Sequence, residues 1–213
     1  MKKNIASQLG LWSSVYVAVL GIIYLLVLIY YFMTEGFIMP PGPFVALAGG
    51  FGTFLTAPGL VILFTAIRFV NEDENKVLGS LGVSFIIMYA VSVSINRFVQ
   101  LTVIQQSLPN VPADLTRFLP YADGSVMLAL EVLGWGFFSS LAFLFVAPLF
   151  SSSPLNKAIR WLFILYAFVS FMSVLGFATK SSIPIGPIAW GPILLALTIL
   201  LSVYFRNINK QAP

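Results

Sequence analysis

The stretch SVMLALEVLGWGFFSSLAFLFVAPLF, residues 125–150, decides the fold class of this chain. It is a continuous apolar run with one carboxylate, Glu131, well inside it. About 20 apolar residues in a helix cross the hydrocarbon core of a bilayer, so this run predicts a transmembrane helix. A bare charge at that depth costs about 2.5–3.5 kcal/mol even on lenient insertion scales. Glu131 must therefore find a partner, take up a proton or face water inside the protein.

Five more runs of the same kind fill most of the chain. The six runs cover approximately residues 10–34, 43–70, 77–106, 125–150, 157–179 and 185–205. Their apolar residues are continuous rather than alternating, which favours membrane helices over the strands of an outer-membrane barrel. The sequence predicts an all-α, polytopic integral membrane protein, with residues 1–213 forming one six-helix transmembrane bundle.

Composition supports this class and excludes several functions. Hydrophobic residues make up 59% of the chain and charged residues 8%, against about 25% charged in an ordinary soluble domain. The absence of cysteine and histidine excludes disulfides, thiol catalysis, histidine-ligated haem or zinc, and a serine–histidine–aspartate triad. We expect no metal and no cofactor. The basic residues never form a run, so nucleic acid is not an expected partner.

Basic residues are distributed unequally between the two sides of the predicted bundle. Eight fall at the ends that share a side with both termini, and three fall at the opposite ends. The positive-inside rule then places both termini in the cytoplasm, and the expected location is a prokaryotic plasma membrane. The eight are Lys2, Lys3, Arg68, Lys76, Lys157, Arg160, Arg206 and Lys210, and the three are Arg97, Arg117 and Lys180.

Helix rise brings Glu131 to the same depth as one basic residue. Arg97 lies about 30 Å along the third span from its inner end, and Glu131 lies about 28 Å from the inner end of the fourth. If these consecutive spans are neighbours, an Arg97–Glu131 ion pair can form in the outer half of the bundle.

Polar side chains also share helix faces in three successive spans, at about 100° per residue. This pattern predicts one outward-opening cavity between the three spans, with Lys180 at its mouth. The deep Trp135 and Trp190 favour core filling, and the alternative is a hydrophobic pocket with Phe137, Phe138 and Phe177. The three faces carry Tyr89, Ser92, Asn96 and Gln100; then Glu131, Trp135, Ser139 and Ala142; then Tyr166, Ser170, Ser173 and Lys180.

The same residues also suit a purely structural role. Interhelical hydrogen bonds in membranes contribute about 0.6 kcal/mol on average, and Lys180 at a span end can simply reach for the interface. Small residues four apart in the second span, Ala46 with Gly50 and Ala48 with Gly52, indicate close helix packing or, alternatively, a homodimer seam.

Three functions stay open at this stage. The first is binding or moving a small amphiphilic molecule or lipid through an outward-facing polar and aromatic pocket. The second is an accessory or scaffolding subunit that packs against a membrane-protein partner or a second copy. The third is an intramembrane enzyme or proton-coupled transporter that uses Glu131 as its acid or base. Membrane lipids are the partners common to all three.

Overall fold

The residues that the structure describes form six long helices, each long and apolar enough to cross a membrane. A computed structural model describes residues 2–36, 42–71, 75–107, 110–119, 124–180 and 186–211, and these residues contain no strand. Length and composition therefore support an integral membrane protein built as a helical bundle. The helices are α1 (Lys2–Glu35), α2 (Pro43–Val70), α3 (Lys76–Ser107), α4 (Val126–Leu149), α5 (Pro154–Ala178) and α6 (Gly186–Gln211).

The helix starts follow local capping chemistry. Asn75, Ser125 and Ser153 lie immediately before α3, α4 and α5, and each side chain accepts a hydrogen bond from a backbone N–H in the first turn. Such caps satisfy N–H groups that have no partner within the helix. Before α2, the hydrogen-bond acceptor comes from another helix: the backbone N–H of Gly42 donates to Oε2 of Glu35, at the end of α1, at 2.6 Å.

Three of the six helices contain a π-helical segment. These segments are Gln100–Ile104 in α3, Val132–Phe138 in α4 and Ala189–Ile193 in α6. A short 3-10 helix, Ala113–Phe118, lies between α3 and α4, and a 3-10 turn, Ala147–Leu149, ends α4. Pro192 lies inside the α6 segment, where its missing N–H removes a helical hydrogen bond. The sequence analysis did not predict these wider turns.

The helices form a closed ring in chain order. Each helix packs against the next along the chain, and α6 returns to pack against α1. Both termini therefore lie at one end of the bundle, where Oγ of Ser7 donates to Oδ1 of Asn209 at 2.5 Å and the hydroxyl of Tyr204 donates to Oδ1 of Asn71 at 3.1 Å. We call this end the terminal end and the other the distal end.

An aromatic core fills the terminal half of the ring. The rings of Phe64, Phe143 and Phe163 contact one another from α2, α4 and α5, with centroids 5.0–6.1 Å apart. Phe143 also stacks on Tyr166 at 3.8 Å. In a bilayer, lipid chains are as apolar as these side chains, so close packing rather than escape from water would hold the helices together here. Described residues of the distal half enclose the cavity described below.

The six predicted runs correspond to the six helices, with differences at the ends. The predicted spans stop at residue 10 on the N-terminal side and at residue 205 on the C-terminal side, whereas the helices extend to Lys2 and Gln211. These outer turns are polar, so hydropathy alone could not include them, yet they are paired through Ser7 and Asn209. The predicted start of the last span, residue 185, lies outside the described residues.

Candidate ligand-binding cavity

A cavity of about 170 Å³ lies in the distal half of the ring. Its wall combines the C-terminal half of α1, the N-terminal half of α2, the distal ends of α3 and α4, and the start of α6. One part of the wall is polar, with Arg97, Gln100 and Glu131, and the rest is largely apolar and aromatic. An apolar pocket with a few convergent polar groups is the usual form of a small-molecule site.

The polar part of the wall is a closed ring of four hydrogen-bonded side chains. Nη2 of Arg97 donates to Oε1 of Glu131, and Nδ2 of Asn96 donates to Oε2 of Glu131 at 2.5 Å. Nη1 of Arg97 donates to Oε1 of Gln100 at 2.7 Å, and Nε2 of Gln100 donates to Oδ1 of Asn96 at 2.7 Å. The predicted Arg97–Glu131 ion pair is therefore confirmed.

Burial makes this network tight. The side chains of Arg97 and Glu131 are only 7% and 8% exposed, so a charge without its partner would be unfavourable at this depth. The guanidinium balances the carboxylate, and both carboxylate oxygens already accept a hydrogen bond. Among the described residues, no group of three or more acidic side chains is arranged to hold a metal ion.

The π-helical segments of α3, α4 and α6 supply three of the cavity's polar side chains. Gln100 begins the segment in α3, Trp135 lies within that of α4, and Trp190 lies within that of α6. π-Helical turns are rare and are found frequently at functional sites. Their convergence from three helices on one cavity separates this region from the regular helical packing of the terminal half.

Two indole N–H groups in the cavity wall have no hydrogen-bond acceptor. Nε1 of Trp135 and Nε1 of Trp190 are both buried, and neither has a partner within the described part of the chain. Trp135 is only 2% exposed, and its ring centroid lies 5.6 Å from that of Trp190. A buried donor left unsatisfied costs about 1–3 kcal/mol. Both nitrogens are shielded from the cavity space, so an acceptor on a ligand reaches them only if a neighbouring side chain moves aside.

The opposite wall is formed by α1 and α2. Tyr24 and Tyr31 contribute aromatic rings from α1, while Gly49 and Gly52 contribute bare backbone from α2. A Cβ atom at either glycine would meet no heavy atom within 4 Å. Glycine at these two positions therefore leaves cavity space, whereas at Gly50 a Cβ would lie 3.2 Å from Cδ2 of Leu101 on α3.

The structure brings together part of the predicted site. The residues that line the cavity include Arg97, Gln100, Glu131 and Trp135. Asn96 is not among the described lining residues, but its Nδ2 donates to the carboxylate of Glu131. Tyr89 is buried with its ring edge-on to Trp135 at 4.7 Å. Ser92 lies on the same helix, but its hydroxyl donates to the backbone oxygen of Met88.

The expectation for α5 differs from the observed cavity. The described lining residues come from the other five helices and none from α5. The hydroxyl of Tyr166 lies 3.1 Å from Oγ of Ser139, which also donates to the backbone oxygen of Trp135. Ser170 is buried, Ser173 donates to the backbone oxygen of Ser170, and Lys180 is exposed at the end of α5. None of the four side chains predicted for this face is among the described residues that line the cavity, and the buried Oγ of Ser170 has no hydrogen-bond partner within the described part of the chain.

Sequence reasoning missed half of the cavity wall. The glycines of α2 were interpreted only as packing positions, and Trp190 was assigned to core filling before a pocket. The phenylalanines of the pocket alternative, Phe137, Phe138 and Phe177, are not among the described residues that line this cavity. A signal was available in α2, where Gly49 and Gly52 share one face of the helix and Gly50 lies on another, so the three glycines cannot all face one neighbouring helix.

No family model, curated protein or solved structure matches this chain. Its function must therefore be argued from the geometry of the cavity.

Proposed function

We propose that this protein binds a small amphiphilic molecule in the distal cavity. One observation carries the proposal: a largely apolar wall holds a buried ion pair and two tryptophans whose buried indole N–H groups have no acceptor among the described residues. An amphiphile is complementary to both parts of this wall. Its polar group accepts hydrogen bonds, and its apolar part fills the space beside Tyr24, Tyr31 and Gly52.

The size of the cavity limits the bound portion of the ligand. Engineered apolar cavities of about 150 Å³ hold one benzene molecule, and this cavity is about 170 Å³. A head group or a short part of a chain fits within that volume, and a whole phospholipid does not. A longer tail would leave the cavity between helices and lie in the membrane.

The charge distribution supports an orientation for this site. The terminal end includes Arg68, Lys76, Arg160 and Arg206, and the positive-inside rule assigns such an end to the cytoplasm. We propose that the cavity lies in the outer half of a prokaryotic plasma membrane, with both termini inside. Binding there would give the protein access to molecules that enter from the outer leaflet.

Filling the cavity from α2 tests the proposal. Gly52→Leu places a bulky side chain where a Cβ meets open space, so the chain should fold normally and lose ligand. Gly52→Ala is the matched control, because a single methyl group leaves most of the volume. Lipids and other amphiphiles co-purified with each variant are identified and counted by mass spectrometry.

We expect one class of amphiphile to be present with wild type and with Gly52→Ala and to fall at least about tenfold with Gly52→Leu, which corresponds to about 1.4 kcal/mol of binding free energy. Size-exclusion elution and thermal unfolding confirm that both variants are folded. Equal retention by all three proteins would exclude the cavity as the binding site.

A scaffolding subunit is the second candidate, and the exposure of α1 favours it. Only 17% of the residues in the most apolar stretch of α1 are buried. Trp12, near the start of this helix, is 70% exposed. A partner membrane protein that packs along this face would cover it. Gentle solubilisation followed by sizing separates the two candidates, because a monodisperse monomer without a second protein speaks against the scaffold.

Proton transfer by Glu131 receives less support. Arg97 and Asn96 each occupy one of its carboxylate oxygens, so a proton carrier would first have to break a buried ion pair. The geometry favours a Glu131 that organises the cavity wall.

A further inference from the structure

The charged groups of the cavity wall cancel one another. Among the described lining residues, Arg97 and Glu131 are the charged ones, and they are paired directly. We infer that the ligand's head group is uncharged and that it accepts hydrogen bonds from the indole N–H groups of Trp135 and Trp190. The inference rests on the proposed function and narrows it to one chemical class.

Burial of the ion pair disfavours a charged head group. An anionic head would have to compete with Glu131 for the guanidinium, and a cationic head would have to compete with Arg97 for the carboxylate. Either exchange leaves one charge of the wall buried without its full set of partners. A neutral head group leaves the hydrogen-bond network intact. This network joins the side chains of Arg97, Glu131, Asn96 and Gln100.

The indoles define the hydrogen-bonding character of the head group. An indole has a donor and no acceptor, so a ligand that satisfies Trp135 and Trp190 must present acceptor oxygens. The two rings are neighbours, with centroids 5.6 Å apart. Ester and ketone carbonyls are uncharged acceptors of this kind.

Two sources share this chemistry within a membrane. A monoacylglycerol carries an ester and hydroxyls on one chain, and a prenylated quinone carries two ketone oxygens on a flat ring. Both combine a neutral oxygen-rich head with a single apolar tail. Their shared chemistry is the ligand class that the cavity wall selects.

The chain contains four tryptophans, which makes a selective optical reporter available. Trp12 and Trp161 are 70% and 68% exposed, and neither lines the cavity. Replacing both with phenylalanine leaves only the two cavity indoles to fluoresce. This Trp12→Phe/Trp161→Phe protein, as a full chain in detergent, is the background for every titration.

Matched single-chain probes then test the charge of the head group. A monoacylglycerol, the fatty-acid anion and the alkylammonium of the same chain length are titrated, with a prenylated quinone as a fourth probe. Equilibrium dialysis of labelled ligand gives affinity, and the fluorescence change reports contact with the cavity. We expect the neutral probes to bind at least about tenfold more tightly than either charged probe.

The outcomes separate the inference from the function on which it rests. Tighter binding of the monoacylglycerol or of the quinone supports the inference and identifies the source. Tighter binding of the anion or the cation, accompanied by a fluorescence change, overturns the inference while the cavity remains a binding site. Failure of all four probes to bind overturns the inference and the proposed function together.

The indole donors are tested by removing only the N–H group. In the same background, β-(3-benzothienyl)alanine incorporated in place of tryptophan keeps the size of both rings and lacks the donor. We expect neutral probes to bind about fivefold to 100-fold more weakly, which is the usual contribution of two hydrogen bonds. Unchanged affinity in a protein that unfolds at the same temperature would overturn the assignment of these donors.

Discussion

Glu131 is held in place by charge and by hydrogen bonding at once. Its two carboxylate oxygens accept from different residues, Arg97 and Asn96, that lie on consecutive positions of α3. Neither partner alone would satisfy a carboxylate that is 8% exposed on its side chain, because one oxygen would remain without a donor. The pair therefore fixes α3 against α4 at one register.

Breaking the ion pair from one side should destabilise the fold strongly. Arg97→Gln leaves the carboxylate buried without its counter-charge, and we expect the free energy of unfolding to fall by about 3–5 kcal/mol. The double variant Arg97→Gln/Glu131→Gln removes both charges and should recover part of this loss. Reversible unfolding in mixed micelles measures all variants, including Glu131→Gln alone.

The double-mutant cycle gives the decisive comparison. We expect the double variant to be more stable than the sum of the two single effects by at least about 1 kcal/mol. Strictly additive losses would mean that the two side chains do not interact in the folded protein.

Sequence patterns predicted where the helices lie along the chain better than they predicted the internal geometry of each helix. Continuous apolar runs are sufficient to locate six spans, and the depth argument correctly paired Arg97 with Glu131. A fixed 3.6-residue period could not reveal the π-helical turns in α3, α4 and α6. It also could not show which faces enclose a cavity, because that depends on all the neighbours of a helix. For this reason the polar face of α5 was expected at the cavity, and its Tyr166 instead packs on Phe143.

Glycines in the helices occupy two kinds of position: some lie where two helices are in close contact, and others border the cavity. At Gly82 in α3, a Cβ would collide with Cγ1 of Val146 on α4, whereas at Gly49 in α2 it would meet nothing within 4 Å. We expect Gly82→Ala to lower the free energy of unfolding by about 1–3 kcal/mol, because a β-branched valine cannot move its methyl group aside.

Two further variants check that explanation by thermal unfolding. In the double variant Gly82→Ala/Val146→Ala, the second substitution should restore much of the stability lost in Gly82→Ala, because it removes the colliding methyl group. Gly49→Ala should be neutral or stabilising by up to about 1 kcal/mol, since alanine is the better helix former. Equal destabilisation by both glycine substitutions would contradict the contrast between contact and cavity.

At the scale of the whole molecule, the closed ring gives its two ends different characters. The terminal end is packed by aromatic rings and sealed by polar contacts such as Ser7 to Asn209. The distal end leaves space between five helices, and the longest connection, between α3 and α4, includes the short helix Ala113–Phe118 at that end. The cavity therefore lies between described residues of five helices, on the side of the aromatic core that faces away from both termini.

The absence of native cysteine allows a direct test of orientation. Thr116 and Asn207 are exposed, neutral residues at the distal and terminal ends, so a single cysteine at either position leaves the charge balance unchanged. A membrane-impermeant maleimide on intact cells should label Thr116→Cys and spare Asn207→Cys until the cells are permeabilised. The reverse pattern would place the termini outside and the cavity in the inner half of the membrane.

Photo-crosslinking shows whether an amphiphile occupies the distal cavity. A monoacylglycerol with a diazirine near its head group is activated on the purified protein, and the labelled residues are mapped by mass spectrometry. The account predicts labels on the cavity faces of α1 and α2, around Tyr24, Tyr31 and Thr53, and their loss in Gly52→Leu but not in Gly52→Ala. Labels spread over lipid-facing residues such as Phe168 of α5, with no dependence on Gly52, would contradict it.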